Sequence, residues 1–141
     1  MTDLSAASAA PAGRPRLAWQ LRAARIGEAL FLPAGLLMWM AQPLDQPAAL
    51  LAVGLQLAVA AAALVGLGRR SRLAWGAALL LAAFFVQKIL ARGHVLLEQA
   101  LATGSREHQI GLALAAWVLA TQLVVLVSCL AMLPGRHGDL R

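Results

Sequence analysis

The chain has 141 residues, 61% of them hydrophobic and only 13% charged, with a mean hydropathy of +0.75 and a formal net charge of +6. A soluble domain runs at about 45–50% apolar and about 25% charged, so these figures exclude a disordered chain, a disulfide scaffold and an ordinary cytosolic enzyme. Ala and Leu alone supply 62 positions and Lys only one, the composition of a protein dissolved in lipid.

Residues 1–15 are small and polar, with Pro11, Gly13 and Pro15, and read as a flexible cytoplasmic tail. From Arg16 to Arg25, Leu17, Trp19 and Leu21 alternate with basic residues, the pattern of an interfacial helix entering a bilayer. A first span follows at about 26–41, with Pro33 expected to bend it. A retained span fits better than a cleaved signal peptide. Glu28 and Pro33 interrupt the apolar run, and Trp39 occupies the −3 position of a cleavage after Ala41, where a small residue is needed. The turn from Gln42 to Pro47 leads into a second span at about 48–67, closed by Gly66, Gly68 and the Arg69-Arg70-Ser71-Arg72 run. A third span is expected at 73–91, its helical pattern continuing to about Leu101. The fourth occupies 110–133 and stops at Pro134-Gly135, which leaves 134–141 as a second cytoplasmic tail.

The basic residues divide by topology. With the N-terminus inside, nine Arg lie on the cytoplasmic side (Arg14, Arg16, Arg22, Arg25, Arg69, Arg70, Arg72, Arg136, Arg141), against Lys88, Arg92 and Arg106 outside. This is a positive-inside bias consistent with an even number of spans. The positive charge is thus an orientation signal, since nucleic-acid binding needs cations gathered on one folded polar face. The expected fold is an all-α, polytopic integral membrane protein, a four-transmembrane-helix bundle over residues 16–133, N-in and C-in. Arg used almost exclusively over Lys suggests a GC-rich bacterial genome, hence the bacterial inner (cytoplasmic) membrane. The single Cys129 forms no internal disulfide and sits in an apolar run, where a thiol acts as a small hydrophobe.

Lipid supplies no hydrophobic drive between spans, so small residues must let backbones approach. Gly54, Ala58, Ala62 and Gly66 recur every four residues in the second span and are expected to form such a ridge. Of the polar groups at membrane depth, Gln56 and Gln122 are candidates for interhelical hydrogen bonds or for lining a ligand cavity. Glu28 follows Arg25 by three residues, the spacing of a local ion pair. Outside, Lys88, Arg92, His94, Glu98 and His108 form the densest polar segment. Lys88 and Arg92, one turn apart, suit an anionic headgroup or an interfacial anchor. His94 and Glu98 share a helix face, and with His108 they make a three-ligand site conceivable, although the spacing matches no metal signature. No phosphate loop, Ser-centred elbow, HExxH or CxxC is present, so neither catalysis nor a cofactor is predicted.

Arg25-Ile26-Gly27 with Phe31-Leu32-Pro33-Ala34-Gly35, together with the stretch from Leu64 to Ala74 (LVGLGRRSRLA), carries a family resemblance. The second stretch is similar to the Gly-Leu-x-x-Arg-x-Ala turn of the DoxX-like family of small four-span bacterial membrane proteins. Met38-Trp39 replaces a basic residue often found late in that family's first span, and Gln56 stands where members often carry an acid. The resemblance implies a four-helix membrane partner of redox or quinone-linked systems and transfers no catalytic residue. The expected function is therefore a non-catalytic subunit or partner of a membrane complex, in contact with the bilayer and with another membrane protein or itself, and not with nucleic acid. Two rival readings are a small homo-oligomeric transporter or channel lined by Gln56, Gln122 and Lys88, and a lipid-modifying enzyme with His94 and Glu98 as acid and base.

Overall fold

Ala and Leu, both strong helix formers, fill every apolar run, and the chain answers with four α-helices. A computed structural model describes residues 14–40 and 45–133; side chains are described from Ala18 onward. The helices are α1 (Arg14–Met40), α2 (Pro47–Gly68), α3 (Arg72–Thr103) and α4 (Arg106–Ala131). All four are long and apolar enough to cross a membrane. Residues 1–13 of the expected tail, Ala41 at the end of the first span, 42–44 of the turn that follows, and the 134–141 tail with Arg136, His137 and Arg141 lie outside the described residues.

The expected interfacial helix and first span form one continuous α1, which begins at Arg14, inside the expected tail, and runs through Pro33. Proline lacks the N–H that would bond the carbonyl four residues back. One residue on, the Leu30 carbonyl accepts a hydrogen bond from the Trp117 indole of α4 at 2.9 Å. Helix α3 is 32 residues long, about 48 Å at 1.5 Å per residue. It carries the polar segment from Lys88 to Glu98 on one rigid rod.

The turns explain the boundaries. Pro47 occupies the first position of α2, where no intrahelical donor is needed. At the end of α2, Ser71 N–H donates to the Gly66 carbonyl at 2.9 Å and Arg70 N–H to that of Leu67 at 3.1 Å, the two bonds of a Schellman cap. The left-handed residue of that cap is Arg70, at φ 57°, rather than a glycine. Gly104, at φ 59°, serves the α3–α4 turn. Ser71 and Ser105 cap the following helices by accepting from the N–H groups of Ala74 and His108.

Each helix packs against its neighbours in sequence, and α4 closes the ring on α1. The N-terminal end of α1 and the C-terminal end of α4 meet, with Gln20 Nε2 donating to the Ala131 carbonyl. The core has two apolar clusters. One lies at the basic end and includes Leu21, Ala24, Ala63, Leu67, Ala78, Val125 and Met132. The other surrounds Phe31 and Phe85, whose rings lie 4.9 Å apart across the bundle.

Small residues set the closest approaches, but not where the ridge in α2 places them. Ala58 and Ala62 are exposed, and α2 buries Ala60, Ala63 and Leu67 instead. Of the expected ridge, Gly66 packs on Ala74, where a methyl group would overlap, and Gly54 faces the Trp39 indole. The crossing of α1 with α4 brings a glycine against backbone as well as side chain. A Cβ at Gly27 would lie 2.6 Å from Val125 Cγ2 and 3.0 Å from the Thr121 carbonyl oxygen. Gly35 faces the Leu57 side chain of α2, with no backbone atom beside it.

Gly27→Ala is therefore expected to destabilise the bundle by about 1–3 kcal/mol through overpacking against backbone, read as a lower melting temperature of detergent-solubilised protein. Gly111→Ala, with nothing within 4 Å of the new methyl, should be neutral or gain up to about 1 kcal/mol of helix propensity. Equal losses in both variants would contradict this packing.

Candidate functional site

Helices α2 and α3 are in close contact at Gly66 and Ala74, and farther along them both line a cleft of about 890 Å³, together with Ala115 and Val118 of α4 and Met38 of α1. Ala49, Ala52, Val53, Phe85, Ile89, Val95, Leu96, Ala115 and Val118 give it an apolar lining. Gln56, Lys88 and Arg92 are its polar groups. Gln56 is half-buried and also borders a smaller cleft with Leu80 and Phe84.

Lys88 lies about 24 Å along α3 from Arg72 at 1.5 Å per residue, far from the arginines of the α2–α3 turn. Its Nζ stands 5.1 Å from the centre of the Phe84 ring, within cation–π range. Arg92 follows one turn later on the same cleft wall. Two cations thus border an apolar groove that also holds one neutral amide.

The other polar candidates fall elsewhere. His94 and Glu98 are exposed on α3 and do not line the cleft. His108 Nδ1 is hydrogen-bonded to Ser105 Oγ in the cap of α4. Among the described residues no group of three His, Cys, Asp or Glu side chains is placed to hold a metal, so His94, Glu98 and His108 do not converge. Gln122 is also absent from the cleft. It is fully buried in the α1–α4 interface, so a single path lined by Gln56, Gln122 and Lys88 is not assembled within one chain.

Glu28 requires a correction. It makes no ion pair with Arg25, because the two side chains leave α1 in different directions. Arg25 is exposed, and its guanidinium lies against Gly68 at the end of α2. Glu28 is fully buried and faces the Gln122 amide. A signal for this was present in the sequence. Leu21, Ala24, Glu28 and Phe31 are spaced at threes and fours and form the core stripe of α1, and Val118, Gln122, Val125 and Cys129 do the same in α4.

Three of the four tryptophans bind helices together through the indole N–H. Trp39 donates to the Leu50 carbonyl at 3.0 Å, Trp75 to that of Cys129 at 3.1 Å, and Trp117 to Leu30. The Trp117 ring is half exposed, and its hydrogen bond supplies the link to α1.

Cysteine labelling maps this arrangement without a cysteine-free background, since Cys129 is the sole cysteine and is fully buried. A maleimide should leave native wild-type protein unlabelled and modify Lys88→Cys and Arg92→Cys. Labelling of wild type at the rate of Lys88→Cys would contradict the packing of α4. No family model, curated protein or solved structure matches this chain.

Proposed function

We propose that this chain is a four-span protein of the bacterial inner membrane that binds an anionic amphiphile in the α2–α3 cleft. It does so as a non-catalytic subunit or partner of a membrane complex. The observation that carries this reading is the convergence of Lys88, Arg92 and Gln56 on one otherwise apolar groove. An acyl chain suits the apolar wall, a phosphate-type headgroup suits two cations one turn apart, and the Gln56 amide offers a hydrogen bond to an ester or carbonyl oxygen.

Several features support membrane insertion. Leu51, Leu73, Leu80 and Leu101 each expose two thirds or more of their surface, as residues facing hydrocarbon do. The even helix number puts the start of α1 and the end of α4 together at the end rich in arginine, which the positive-inside rule assigns to the cytoplasm. Lys88 and Arg92 then lie toward the outer leaflet. The DoxX-like resemblance adds a redox or quinone-linked setting, in which a quinone would be a neutral competitor for the same groove. Binding fits the geometry better than the rival readings, because Gln122 lies off the cleft and His94 and Glu98 lie outside its lining.

Native mass spectrometry of protein extracted in mild detergent tests the binding. Phosphatidylglycerol should be retained in preference to phosphatidylcholine. At about 1 kcal/mol per cation, Lys88→Ala or Arg92→Ala should each weaken retention about fivefold, and the pair about 25-fold. Equal retention of both lipids, unaffected by these substitutions, would refute the headgroup site. For orientation, a reporter fused after Arg70 should read cytoplasmic, and a periplasmic signal there would reverse the assignment.

A further inference from the structure

Glu28 and Gln122 form a polar layer between the two apolar core clusters. Both side chains are fully buried, and they face each other across the α1–α4 interface. Yet, among the described residues, both carboxyl oxygens of Glu28 and both polar atoms of Gln122 lack a partner at full hydrogen-bond distance, although the two side chains lie near enough to interact. Four orphaned polar atoms at one place in a core call for a physical reason, because such groups are almost always satisfied.

Among the described residues the surroundings supply no counter-charge. Helix α2 contains no titratable residue. On α4, Arg106, Glu107 and His108 lie at the far end, which leaves Cys129 as the titratable group near Glu28. Helix α3 reaches α1 through the Phe31–Phe85 contact, and its Lys88 and Arg92 line the cleft. Arg25 on α1 itself is exposed beside Gly68. The adjacent Thr121 hydroxyl is committed to the carbonyls of Trp117 and Val118.

Hydrogen-bond accounting then decides the chemistry. An ionised carboxylate can only accept, so it satisfies the Gln122 N–H but leaves Gln122 Oε1 facing no donor. A carboxylic acid does both. Its O–H is a donor matched to Gln122 Oε1 and its other oxygen an acceptor matched to Nε2–H, a pairing that a small rotation of the two facing side chains completes. We propose that Glu28 and Gln122 constitute a proton-binding site inside the bundle, a carboxylic acid paired with a carboxamide that takes up and releases one proton. The proton is exchanged with bulk water, and only the Glu28 O–H bond forms or breaks. Release leaves a charge without a cation beside the Gly27 crossing, so proton occupancy is coupled to α1–α4 packing.

The test is infrared spectroscopy of the full-length protein in phosphatidylcholine vesicles at neutral pH, where exposed carboxyls are ionised. One carbonyl-stretch band of a protonated carboxylic acid is expected. It should vanish in Glu28→Gln and shift in Gln122→Met, which removes the partner and keeps the volume. Dicyclohexylcarbodiimide, which attacks protonated carboxyls in apolar surroundings, should label wild type and not Glu28→Gln. Because glutamine offers Gln122 the same donor and acceptor as the protonated acid, Glu28→Gln should melt within about a degree of wild type. Absence of the band, its persistence in Glu28→Gln or its indifference to Gln122→Met would overturn the proposal. So would failure of Glu28→Gln to fold, since the carboxylate charge would then be what the bundle needs.

Discussion

The close approach of α1 to α4 at Gly27 is the constraint on which the rest of the bundle depends. With no side chain at that position, the Thr121 carbonyl and the Val125 methyl come within reach of the α1 backbone. That contact seats Glu28 opposite Gln122, one residue along on each helix. It also brings the Trp117 indole to the Leu30 carbonyl beside Pro33, where α1 is short of a backbone donor. A wider crossing would part Glu28 from Gln122 and draw the Trp117 indole away from its acceptor, and a buried polar group without a partner is costly.

The same economy of small residues shapes the cleft. Gly66 against Ala74 pins α2 to α3 at the basic end. The groove lies farther along the same two helices, and Lys88 and Arg92 stand beside it one turn apart on α3, level with Ala49, Ala52 and Val53 of α2. The site thus stands on helices rather than on a loop, which gives its two cations a fixed separation of one turn. Its position is independent of the Glu28–Gln122 layer, which lies in the opposite interface.

Helix number, order and approximate ends were legible in the sequence, because apolar runs bounded by Pro, Gly and Arg are a local signal of long range and low ambiguity. The continuation of α3 beyond Lys88 was legible for the same reason. The packing faces were not. In α2 nearly every position is apolar or small, so periodicity cannot separate the stripe of Gly54, Ala58, Ala62 and Gly66 from that of Ala60, Ala63 and Leu67, and the structure buries the second. Glu28 was misassigned because a charged neighbour three residues away is visible in the sequence, whereas a glutamine 94 positions later on the facing helix is not.

Composition and patterning by themselves therefore determined that the chain is helical, how many apolar helices it has, and which end carries the arginines. These are properties of each segment taken alone: propensity, hydropathy and terminal signals. Only the tertiary structure decided which face of each helix is buried, that Gln56 joins Lys88 and Arg92 at one cleft, and that Gln122 joins Glu28 in another interface. Those outcomes depend on the rotation of one helix against the next, which is fixed by the fit of glycines and alanines against neighbouring backbone. In a chain so uniformly apolar, no single segment encodes that fit.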